Sequence, residues 1–263
     1  MISDTRGYRF RLACILGLAV LAITTVTLMD PIPQDPAYHE FVDQRMLYGV
    51  PNFWNVASNS LFVISGLLGI LLLMRQPPVT GGLPELRPVY LVFFTGVFLT
   101  GFGSAYYHLD PSNDALVWDR LPMTLAFMAF FSMIVGEHLS PGTGRALLWP
   151  LLVVGVLSIV YWHITESAGR GDLRPYALVQ FLPMVLIPVI LLLFQSRLNR
   201  SIFLWAMIAA YVVSKIAEYF DAELYAAGGI LSGHSVKHIA AAVGTLFLYM
   251  ALRKRRLIEG VSR

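Results

Sequence analysis

The chain alternates between long apolar runs and short polar breaks. A run of about 20 apolar residues is what an α-helix needs to cross the hydrocarbon core of a bilayer. Eight such runs stand at 10–29, 54–74, 89–108, 120–137, 147–164, 176–195, 201–220 and 234–252. Extended period-two alternation is absent, which argues against a barrel. The predicted fold class is an all-α membrane protein, a helical bundle of eight spans. The longest polar breaks are 30–52 and 163–175, and Pro77-Pro78 through Gly81-Gly82 and Pro84 predict a turn. There is no clear internal repeat and no low-complexity tract.

Composition agrees with this pattern. The 263 residues are 57% hydrophobic and only 13% charged, where soluble domains carry about 25%. The net charge of +3 follows topology and forms no nucleic-acid patch. Cys14 is the only cysteine, so the chain cannot form an internal disulfide and any metal site must use histidine and oxygen ligands. Residues 1–29 place basic residues before an apolar stretch, as a signal peptide does. The stretch is long for one and no Ala-x-Ala site follows, so it is read as a retained span.

Lysine and arginine mark the cytoplasmic side of a membrane protein. With the N-terminus inside, thirteen of these residues fall in inner segments and four in outer ones, namely Arg45, Arg120, Arg170 and Arg174. Both termini are therefore expected in the cytoplasm. That topology carries His108, Asp119, His234 and His238 to one depth near the outer face, although none of them entered the count. The basic tail Arg253–Arg256 is expected to anchor the inner surface of the membrane.

Half of the six histidines belong to this set. His234 and His238 are spaced i, i+4, so a helix places both imidazoles on one face. Ser104 and His108 share that spacing, which sets a hydroxyl beside the third imidazole. Three imidazoles, an open position and a nearby carboxylate are what a catalytic zinc requires. The plainer alternatives are two interfacial histidines, and an Asp119 that only caps a helix with Pro122 in its first turn. Intramembrane ionisable residues are more often functional, and the third histidine at equal depth favours the metal site. Lys215, Glu218 and Asp221 form a second cluster on the seventh span. It reads as a structural ion-pair network, or as support for a histidine ligand, and Lys237 is placed to pair with one of its acids. Asn55, Ser58 and Asn59 read as helix-packing hydrogen-bonders. His39 and His138 read as loop residues, and His163 with Glu166 as interfacial.

Ser104-x3-His108, Asp119 within Asp-Arg-Leu-Pro-Met, His234-x3-His238 and Pro51-Asn-Phe-Trp-Asn55 together resemble the alkaline ceramidase family. That family belongs to a superfamily of seven-span membrane hydrolases that includes adiponectin-receptor-like proteins. The resemblance covers roughly residues 43–252 and leaves the first span as an extra one. It implies an N-terminal segment and extra span over 1–32, a seven-span hydrolase domain over 33–252 and a basic tail over 253–263. It further implies a zinc-dependent amidase that cleaves ceramide-like lipids to a sphingoid base and a fatty acid. His108, His234 and His238 would hold zinc, Asp119 would act on the zinc-activated water and Ser104 would assist. Eukaryotic members also carry an acidic calcium-binding cluster before the first shared span. Here that region offers Asp43, Asn52 and Glu40, with Asn52 where those enzymes have glutamate. That departure puts calcium in doubt, since the ion prefers more carboxylate charge. Three other readings stay open: a zinc hydrolase of another acyl lipid, a receptor-like protein with a structural zinc, and a transporter using Lys215, Glu218 and Asp221 as an ion path. The oligomeric state is not legible.

Overall fold

The computed structural model describes residues 5–75 and 81–258. Pro77-Pro78, Arg263 and the end of the basic tail lie outside the described residues. In chain order the helices are α1 (Thr5–Leu28), α2 (Phe53–Ala57), α3 (Ser60–Met74), α4 (Arg87–Leu109), α5 (Asn113–His138), α6 (Pro141–Ser167), α7 (Arg174–Leu193), α8 (Ile202–Tyr219), α9 (Asp221–Gly228) and α10 (Gly233–Lys254). Short 3-10 turns stand at Pro36–His39 and Pro84–Leu86. Eight of these elements, with α2 and α3 read as one, are long and apolar enough to span a membrane. The protein is thus a multi-pass, all-helical membrane protein, as the apolar runs predict.

Three of the spans start at a capping serine. Ser112, Ser140 and Ser232 accept backbone N–H groups at the starts of α5, α6 and α10, satisfying donors that a helix leaves orphaned. α5 begins seven residues before the expected start of its apolar run. Asp119 is therefore inside the helix and caps nothing, and Pro122 is an interior proline. Apolarity marks what can sit in lipid, whereas the Ser112 cap sets where the helix begins.

The main core lies among α3, α4, α5, α7 and α10. Small residues let the spans approach closely. At Gly103 on α4 a Cβ would strike the Trp118 carbonyl of α5, and at Gly233 one would strike the Ala217 carbonyl of α8. α7 packs against α1, α5 and α6, whereas α8 packs against α10 and α9. The mostly exposed α1 lies on α7, where Arg11 Nη1 donates to the Leu193 carbonyl at 3.0 Å.

The span formed by α2 and α3 runs parallel to α10 and beside it. Asn55 accepts from Ser235 Oγ at 2.7 Å, Ser58 Oγ meets His238 Nδ1 at 2.9 Å, and Thr245 Oγ1 donates to Ser65 Oγ at 2.8 Å. All three pairs are 180 residues apart, so residues 55–65 and 235–245 are in register.

At the end of the bundle opposite the histidines, Arg255 and Glu137 form a buried ion pair with two hydrogen bonds of 2.7 Å. Tyr90 donates to Glu137 at 2.7 Å and Arg255 also donates to the Gly81 carbonyl. The expectation of a tail lying wholly on the membrane surface is corrected here. Arg255 is 1% exposed, because Glu137 would otherwise be a buried charge without a partner.

Candidate metal centre

His108 occupies the last turn of α4, and His234 and His238 the first turns of α10. All three are buried, and one ligand nitrogen from each lies within 4.8 Å of the others. The rings sit 4.9–5.0 Å apart, and His108 Nε2 is 3.3 Å from His234 Nε2. Zinc–nitrogen bonds of about 2.0–2.1 Å in a tetrahedral site require ligand nitrogens about 3.3 Å apart. The donor set, with one nitrogen pair already at 3.3 Å, could hold a metal ion. Among the described residues this is the cluster of His, Cys, Asp or Glu that meets the requirement.

The surroundings hold the imidazoles in place. Ser58 Oγ donates to the Asn55 carbonyl at 3.2 Å, which leaves its lone pairs to accept from His238 Nδ1–H. That assignment places the free lone pair of His238 on Nε2, toward the other rings. Asn52 sits in the left-handed region with φ of 47°, a conformation asparagine tolerates better than most residues. Its Nδ2 donates to the His108 carbonyl at 2.9 Å and steadies the end of α4. Asp221 accepts the His234 backbone N–H at 2.7 Å, holding the start of α10. The Phe41 ring packs on the rings of His108 and His234 at 4.6 and 5.0 Å.

A cavity of about 420 Å³ opens beside the centre, within the range of small-molecule sites. Ser104, Asp119 and His238 line it together. Its wall continues over Phe62, Phe93, Phe130 and Met184. Glu218 accepts from Lys215 at 2.7 Å and from Lys237 at 2.8 Å, using one oxygen for each. Arg120 packs between the rings of Trp162 and Tyr176, at 4.4 and 4.8 Å, and donates to Gln34 Oε1 at 2.7 Å.

The expected set His108, His234, His238, Asp119 and Ser104 is thus assembled in one place. The expected pairs of Glu218 with Lys215 and Lys237 are present. Asp221 departs from its expected place. The helix breaks at Phe220, so Asp221 opens α9 and binds backbone. The calcium candidates serve other partners. Both Asp43 oxygens bond Arg45, at 2.8 Å each, and Arg45 reaches on to the Gly229 and Ile230 carbonyls. This guanidinium holds the Asp43 carboxyl below the usual carboxylate range. His39 is no free loop residue, since it bridges Tyr107 and Asn113 at 3.0 Å each. His138 closes α5, away from the centre.

Three contributors escaped the sequence reading: the bond from Ser58 to His238, the Phe41 contact and the wall position of Arg120. The first had a signal. Polar residues at 55, 58 and 65 recur with the same spacing at 235, 238 and 245.

No curated protein matches the chain. A family model described as Ceramidase matches residues 43–260, so the match begins beyond α1 and continues past Arg255. That name denotes hydrolases of the amide bond in ceramide, and the match spans the three histidines, Ser104, Asp119 and the cavity. The chain therefore belongs to the ceramidase family, as an enzyme of membrane lipid metabolism.

Proposed function

We propose that the chain is a zinc-dependent intramembrane amidase, with His108, His234 and His238 holding the metal. The observation that carries this reading is the meeting of three buried imidazoles with Asp119 and Ser104 at the head of a largely apolar cavity. Zinc, when bound, supplies Lewis acidity toward the amide carbonyl and lowers the pKa of water toward about 7. Asp119 takes the proton from the attacking water and passes it to the leaving amine nitrogen. Ser104 donates to the carbonyl oxygen as that oxygen gains negative charge. Ser58 and Asn52 keep two of the ligand histidines in place, and Phe41 excludes water from one side of the centre.

The cavity wall draws residues from both α7 and α8, two spans that pack on different neighbours. A lipid enters sideways between them, its amide reaching the polar end and its acyl chain lying along the phenylalanines. The charge bias of the loops supports cytoplasmic termini and a centre near the outer face. Residues 33–252 and the tail that follows would form the hydrolase unit, with α1 as an added span.

The test pairs metal analysis with ceramide hydrolysis on the purified protein in detergent, before and after chelation and with zinc restored. One zinc per chain and activity that follows the zinc are expected. Full activity in metal-free protein would end the proposal.

A further inference from the structure

The charged groups on the cavity wall do not balance. Arg120, Lys215 and Lys237 face Asp119 and Glu218 across an otherwise largely apolar surface. Arg120 is held between aromatic rings and by Gln34. Glu218 carries one charge yet serves two ammonium groups, one on each oxygen. An ammonium has three N–H donors, and Lys237 Nζ uses one, toward Glu218. With Asp119 as the other carboxylate on this wall, three cations share two anions and one positive charge is left over, while Lys237 keeps two N–H donors unused on the cavity side of the ligand helix. Uncompensated charge inside a bilayer is costly and is usually met by a partner.

We propose that Lys237, backed by Lys215, is a specificity-determining cation that takes an anionic oxygen group, a carboxylate, of the lipid in this cavity. Lys237 directly precedes the ligand His238 and shares the cavity with Asp119, so a carboxylate on its ammonium lies beside the reacting end. Lys215 is the more exposed of the two and packs near the Phe181 ring of α7 and the Tyr211 ring of α8. Such a carboxylate has two possible sources. Amide hydrolysis releases a fatty acid within the cavity, or the substrate itself bears an acidic headgroup. The inference rests on this cavity being the lipid chamber of the proposed amidase, but its binding test needs no turnover.

The experiment compares dodecanoate with dodecanol for binding to the full-length, metal-loaded protein in neutral detergent. A second arm compares KM for N-dodecanoylglycine and for a neutral N-dodecanoyl amide. Wild-type protein should prefer the charged member of a pair by about tenfold, the worth of one charge-assisted hydrogen bond. Lys237→Met should remove that preference and Lys237→Arg should keep it. Preference for dodecanoate assigns the subsite to the product, and a preference confined to the KM arm assigns it to the substrate headgroup. Wild-type protein with neither preference overturns the inference whether or not a variant folds, as does a preference that survives in folded Lys237→Met. Hydrolysis of ceramide without either preference would sink this inference alone; dodecanoate preference in a protein that cleaves no lipid amide would sink the amidase reading instead.

Discussion

The Ser58 hydroxyl lies 2.9 Å from His238 Nδ1, and its own proton is committed to the Asn55 carbonyl. Ser58→Ala should therefore release the imidazole to rotate and to change tautomer. Loss of such a partner costs about 10–100-fold in metal affinity. Zinc competition against a chelator measures this directly. Unchanged affinity would show that the ligand helix alone fixes the ring.

His238→Ala and Asp119→Asn should separate metal binding from turnover. The first should lose metal and hydrolysis together. The second should keep its metal and lose at least about 100-fold in kcat, the usual worth of a positioned acid–base group. Ser104→Ala should retain metal with a smaller fall in kcat. A fully active Asp119→Asn protein would remove Asp119 from the chemistry.

The buried pair at the far end predicts a stability effect without a direct effect on the centre. Arg255→Met leaves Glu137 buried without its charge partner, a change that costs about 3–5 kcal/mol. The double variant with Glu137→Leu should recover much of the loss, because no charge is then stranded. Thermal unfolding in detergent reads both. Equal stability of single variant and wild type would mean that water reaches Glu137.

Acid should loosen the junction between α1 and α7. Arg174 bonds both Asp172 oxygens, at 2.9 and 2.8 Å, and donates to the Thr27 and Met29 carbonyls at the end of α1. The guanidinium brings the Asp172 pKa from the usual 3.8 down to about 2. A carboxylate with a depressed pKa contributes fully above its unfolded value, and that contribution is lost as pH falls through the folded one. Proteolytic cutting of the 29–33 segment should rise between about pH 4 and pH 2. Asp172→Asn should show the faster cutting already at neutral pH.

Much of the architecture was legible because a bilayer imposes one rule, that backbone groups be satisfied within the span. The eight runs and the i, i+4 histidines follow from length and periodicity. Partners set by distant packing were not legible in the same way. Asp221 looks like a third member of a helical charge row until Phe220 ends the helix. Arg255 looks like one more surface cation until Glu137 is known to lie beneath it. Phe41 sits in a segment that reads as polar loop, so nothing local marks it as a wall of the centre.

The common offset of 180 residues between the α2–α3 span and α10 constrains how this sequence can change in length. One residue inserted between Ser58 and Ser65 would turn Ser65 about 100° away from Thr245 while Ser58 still faced His238. The two helices behave like matched scales, so a length change in one must be copied at the same height in the other. This pair of spans can drift in sequence but not in count.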